Sequence, residues 1–234
     1  MAAAQEKSDQ KKTDELPIPE KLNDFIQKNR KTLLAGLIAV LVILAGFIIG
    51  LVVRDNLVSR ALNQVDAFEN RYMELSIDTE GEISGAALAV INALLEDLEV
   101  FAARNSGFAA ARSYFIVAKI YEELKNWAEA QTAWAASARA AAGSYLAPVS
   151  LFNAAAAAEE QGNIESAIEF YTQALNYGNT FPAAARAQFS IGRLQESRNR
   201  GAALEAYRNL VNRWPNDPLW TNLAQSRIMV LSDD

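Results

Sequence analysis

The sequence predicts an all-α chain in which a single transmembrane helix near the N-terminus precedes a stack of helical pairs. Three observations predict it. Alanine, leucine, glutamate and arginine dominate outside one apolar run, and β-branched residues are sparse there, which favours helices on propensity alone. Leu33 to Val53 is a stretch of twenty-one residues without a charge. Chemically similar residues return at intervals of 37 through the C-terminal half, the mark of a stacked repeat.

Residues 1–31 form the tail before the apolar run. Residues 1–19 are polar, carry Pro17 and Pro19, and read as disordered. Leu22, Phe25 and Ile26 then share one face of a short interfacial helix that leads into the span. The anchor, residues 32–54, is about 30 Å long as a helix, the thickness of a bilayer's hydrocarbon layer. Lys28, Arg30 and Lys31 crowd its N-side against Arg54 and Arg60 on the other. The positive-inside rule therefore predicts a cytoplasmic N-terminus and an exported body. The polar N-region and the apolar run are both too long for a signal peptide, so the anchor is expected to stay uncleaved. Gly46 and Gly50 form a GxxxG, and Ala35 and Ala39 repeat the small-residue spacing. This permits close contact with a second membrane helix, hence a possible homo-oligomer.

Beyond the anchor, Phe115, Phe152 and Phe189 are spaced by 37, and Glu122, Glu159 and Glu196 keep that spacing. After each glutamate come a short turn and a second helix carrying Ala130, Ala167 or Ala203. An aromatic follows four residues later: Trp134, Tyr171, Tyr207. Small residues at such positions let two helices of a pair approach closely, and the aromatics fill the hollows between pairs. One pair cannot bury its apolar face, so three need caps. Residues 55–77 and 84–104, split by the Asp78–Glu82 turn with Gly81, supply a degenerate leading pair over 55–107. Residues 218–234 supply a C-terminal capping helix.

The pattern over 108–217 resembles the tetratricopeptide-repeat (TPR) family. Tyr114, Tyr121, Ala130 and Trp134 carry the likeness in the first repeat, and Ala167 and Tyr171 in the second. Gly192, Ala203, Tyr207 and a closing Pro215 carry it in the third. The period departs from the family's by three residues, and the third repeat is one residue short between Gly192 and Ala203. The resemblance implies an α-solenoid that binds other proteins in a concave groove. It places Phe115, Phe152 and Phe189 there as a partly exposed stripe, flanked by Arg112, Arg186, Lys119, Arg193 and the three glutamates. Two roles stand open for the phenylalanines: an apolar ladder for a peptide or helix, or cement between neighbouring helices. The carboxylate clamp of some TPR domains is not matched.

Composition removes most site chemistry. With no histidine and no cysteine, the chain has no means for zinc, haem, iron–sulfur or Ser–His–Asp chemistry. Paired acids such as Glu122/Glu123 and Glu159/Glu160 read as solvated helix faces, not as general acid–base pairs. No catalytic residue, metal or cofactor is expected, and the chain is not expected to be an enzyme. Residues 55–183 carry seven Lys/Arg against seventeen Asp/Glu, whereas residues 184–227 carry seven arginines against three acids. A net charge of −6 argues against nucleic acid. Tail, anchor and exported body resemble the bacterial inner-membrane proteins that accompany the Sec translocon and a periplasmic chaperone. This implies a translocon-associated chaperone partner, a protein-interaction module of the cell envelope. The alternative is a scaffold in a large envelope machine, such as the periplasmic collar of a spirochaete-type flagellar motor.

Overall fold

The computed structural model describes residues 18–75 and 84–233. Of the expected disordered tail, residues 1–19, the first seventeen lie outside these residues, as does the turn at Asp78–Glu82 with Gly81, whereas Ile18 and Pro19 open the first helix. The described residues are helical with no strand: α1 (Ile18–Glu74), α2 (Gly85–Arg104), α3 (Gly107–Glu123), α4 (Trp127–Ala140), α5 (Leu146–Glu160), α6 (Ile164–Leu175), a 3-10 turn (Gly178–Thr180), α7 (Ala184–Gln195), α8 (Arg200–Arg213) and α9 (Pro218–Asp233). The fold is an all-α solenoid. The chain divides into two compact parts, Met1–Leu57 and Val58–Asp234.

The first part holds the apolar run. Its large side chains from Leu33 to Val53 are all exposed, Ile43 to 70%. Among the described residues, a Cβ added at Gly46 or Gly50 would meet nothing within 4 Å outside its own helix backbone. Among the described residues this is the one helix long and apolar enough to cross a membrane.

In the second part the residues of α1 after Leu57 pair with α2. Val65, Phe68 and Tyr72, at helical spacing, bury against Ile91, Leu94 and Leu98. Phe68 meets Phe101 edge-on at 5.6 Å. The three repeats follow, with α3, α5 and α7 as A helices and α4, α6 and α8 as B helices. Ala130, Ala167 and Ala203 have no exposed surface, and neither do Ala118 and Ala155 opposite them. Trp134 and Tyr207 are the largest fully buried side chains, each contributing about 2–3 kcal/mol by burial.

The missing residue of the third repeat has a local cause. In the first two repeats the A-to-B turn passes through a left-handed residue, Lys125 (φ 58°) and Gly162 (φ 72°), 37 positions apart. The third repeat omits that residue. Asn199, extended at φ −151°, caps α8 directly by accepting from the Ala202 N–H at 3.0 Å.

The capping helix keeps the register of the A helices. Ala110, Ala147, Ala184 and Thr221 are spaced by 37 and are all buried, as are Ser113, Ser150, Ala187 and Ala224. α9 therefore stands in the register of an A helix. Met229 sits where Ala118, Ala155 and Gly192 admit an aromatic from the B helix, and it is 68% exposed.

Candidate interaction groove

Each repeat builds the same three-residue contact. The A-helix phenylalanine lies against the B-helix aromatic: Phe115 on Trp134 at 4.6 Å, Phe152 on Tyr171 at 5.1 Å, Phe189 on Tyr207 at 5.3 Å. The glutamate seven residues on, two turns along the same helix face, accepts that aromatic's polar hydrogen. Glu122 accepts from Trp134 Nε1 at 2.8 Å, Glu159 from the Tyr171 hydroxyl at 2.7 Å, and Glu196 from the Tyr207 hydroxyl at 2.5 Å. A buried aromatic needs its polar hydrogen satisfied, and a carboxylate acceptor makes the bond a strong one. Both series are visible in the sequence, the glutamates at a spacing of 37 and the B-helix aromatics at 37 and then 36. The bond joining them is not, because it needs the antiparallel pairing of A with B.

The groove residues therefore have inward partners. Phe152 departs from the expected partial exposure: it is buried, pressed by Tyr171, by Phe181 at 6.0 Å, and by the Arg186 guanidinium lying 5.0 Å over its ring. Phe115 and Phe189 are half-buried. Arg112 reaches back to Asp66, at 2.7 Å, and to Glu69. Lys119 stands 4.6 Å over the Tyr72 ring. Tyr72 in turn donates to Glu123.

The repeats differ in how the glutamate is neutralised. Arg193, on the next A helix, pairs with Glu159. Arg227, on α9, forks onto Glu196 at 2.8 and 2.5 Å. The Arg227 bonds hold the Glu196 carboxyl below its ordinary range. Glu122 has no such arginine, because the position one repeat before Arg193 is Ala156. Its carboxyl is pushed up, chiefly by burial.

One depression of about 300 Å³ opens along the A helices of α5 and α7, lined by Glu159, Tyr171, Arg186, Phe189, Arg193 and Trp220. It brings together four of the predicted groove residues. Trp220, 5.4 Å from Phe189, completes it from α9 and was not predicted. Its signal was present, since Pro218 starts a helix in the 37-residue register. The remaining predicted packing residues lie in and after the repeats. Gly192 is pressed against Tyr207, Tyr114 and Tyr121 are half-buried on α3, and Pro215 stands in the turn after α8. Among the described residues no cluster of acidic side chains is arranged to hold a metal ion.

No protein-family model matches the chain. It is 40% identical over 90 residues to a TPR repeat-containing protein of Treponema pallidum, a stretch covering 38% of this chain and 37% of the relative. The chain thus aligns with well under half of that relative's length. With the repeated pairs and their small-residue crossings, this similarity supports a TPR-type protein-interaction module.

Proposed function

We propose that the protein is a membrane-anchored scaffold whose A-helix groove holds a partner protein at the bacterial inner membrane, with the N-terminus cytoplasmic and the repeats periplasmic. One observation carries the reading. The apolar side chains of Leu33–Val53 are exposed on every side of α1 while the repeats beyond bury theirs. In water that surface is strongly unfavourable, and a bilayer removes the cost. The 300 Å³ depression supplies the partner site, with Phe189, Trp220 and Arg186 as the side chains that a partner segment would cover. Two sharper forms follow: a chaperone partner of the Sec translocon, or a structural part of an envelope machine.

Crosslinking intact cells and recovering the full chain separates them. Translocon components and exported clients support the first form, motor or other machine components the second. Recovery of neither, with the chain in the soluble fraction, overturns the proposal. Protease added to spheroplasts tests the orientation: the repeats should be digested and residues 1–31 protected, and the reverse result inverts the topology.

A further inference from the structure

A hollow recurs between consecutive B helices, over the A helix between them, and the repeats treat it differently. In the first repeat it is about 470 Å³, floored by Tyr114, Val117 and Tyr121 of α3 and walled by Ala133 and Ala136 of α4. In the third repeat the equivalent space, about 540 Å³, is polar, lined among others by Thr172, Asn176, Gln188, Glu205 and Arg213. In the second repeat Phe170 stands in register with Ala133, one residue before Tyr171 as Ala133 is before Trp134. Its ring packs against both neighbouring core clusters. The chain itself thus shows what this hollow accommodates: a phenylalanine ring, entering between two B helices onto the A helix below.

The rim of the first hollow adds a charge preference. Glu99 on α2 and Glu129 on α4 both line it and both are exposed, and among the described residues no lysine or arginine lines it. Glu99 accepts from the Tyr121 hydroxyl at 3.1 Å, which leaves most of its acceptor capacity turned outward. Both carboxylates, with burial as the larger cause, hold the Tyr121 hydroxyl above its ordinary range. Two unneutralised carboxylates around an apolar floor favour an aromatic side chain with a cation beside it.

We infer that the hollow of the first repeat takes an aromatic side chain, followed by a basic residue, from a protein partner. The partner's ring occupies the place Phe170 occupies one repeat later, and its cation lies between Glu99 and Glu129. This rests on the protein-binding reading above but uses a different surface from the A-helix groove.

The test uses the full chain in detergent micelles with its seven tyrosines fluorinated, their ¹⁹F signals assigned by Tyr→Phe substitution. The probes are N-acetyl-phenylalanyl-arginine amide, N-acetyl-alanyl-arginine amide and N-acetyl-phenylalanyl-glutamate amide. The first should shift the Tyr114 and Tyr121 signals saturably, and each of the others should bind about tenfold more weakly or worse. Ala133→Phe plugs the hollow as Phe170 does, and should abolish the response while the Tyr171 and Tyr207 signals keep their positions. Glu99→Gln with Glu129→Gln keeps the hollow open, so the arginine probe should lose its advantage over the glutamate one. A response that survives Ala133→Phe, equal binding of the alanyl probe, or no shift at Tyr114 and Tyr121 overturns the inference. Failure of the groove reading has another signature. Crosslinked cells would then yield no partner for the wild-type chain, while the probe still binds and Ala133→Phe still blocks it.

Discussion

Gly192 is the tightest point of the stack, and replacing it with alanine sets two opposing effects against each other. A Cβ built there would lie 2.6 Å from Cε1 of Tyr207 and 2.8 Å from Cδ1 and Cζ. The ring has little freedom to retreat, since Tyr207 has no exposed surface and its hydroxyl is held by Glu196 at 2.5 Å. Overpacking of this kind costs about 1–3 kcal/mol. Alanine in mid-helix recovers about 1 kcal/mol relative to glycine. The net expectation for Gly192→Ala is a loss of up to about 2 kcal/mol, or up to about 8 °C in melting temperature for a part this size. The first two repeats give the control, because Ala118 and Ala155 already occupy this position. There Ala155→Gly should destabilise, the opposite direction of response to the same pair of residues. Thermal melting by circular dichroism reads both. A Gly192→Ala chain that melts above the wild-type temperature would show that Tyr207 is not pressed onto α7.

Ala167→Leu should overpack the fully buried crossing of α5 and α6 and lower the melting temperature by about 2–8 °C, whereas an unchanged melt would mean the A/B register is wrong. Phe152→Ala should behave as a core truncation, with a loss of about 3–5 kcal/mol, and full stability with lost partner recovery would return Phe152 to the groove. Glu122→Gln and Glu196→Gln should move stability at pH 7 in opposite directions. Glu122, whose carboxyl is held up, weakens the fold as it ionises, so its contribution is present below the ordinary carboxylate range and lost as pH rises. Glu196, held down first by Arg227, contributes above that range and loses its contribution as pH falls. Both differences should vanish in melts carried out well below the carboxylate range. Burial first, and then a carboxylate acceptor, raise the hydroxyls of Tyr72, Tyr171 and Tyr207 above their ordinary value. Stability should therefore decline as pH climbs past about 10, where unfolded tyrosines ionise, and Tyr171→Phe should flatten that decline; equal slopes for the two proteins would count against it.

The helical pairs and their order were legible because their signals are one-dimensional. Equal spacing and small residues at crossings survive being read along a line. The groove was less legible. Phe152 and the three glutamates have the right periodicity for a binding stripe, but periodicity does not say on which side of a helix its partner lies. Once α6 lies antiparallel to α5, Tyr171 claims both Phe152 and Glu159. Arg186 over Phe152 and Trp220 beside Phe189 are contacts between repeats, set by how one pair rotates on the next. That α9 continues the A series was written in the spacing of Thr221 and Ala224 but hidden by its residue types, which match no repeat consensus.

The junctions between successive repeats are made of different chemistry, and that makes them respond differently to ionic strength. Between the first and second repeats the polar links are neutral: Ser137 with Ser150 at 2.9 Å, Gln131 with Ser166 at 3.1 Å, and Gln161 with Gln131 at 2.7 Å. Between the second and third they are the ion pairs Arg193–Glu159 and Arg198–Glu165, and between the third and α9 the pair Arg227–Glu196. Mobile ions screen such partly exposed charges but leave neutral hydrogen bonds nearly untouched. Added salt therefore acts as a position-selective solvent for this stack. It weakens the arginine-stitched seams of the C-terminal end, while the serine- and glutamine-stitched seam after the first repeat holds.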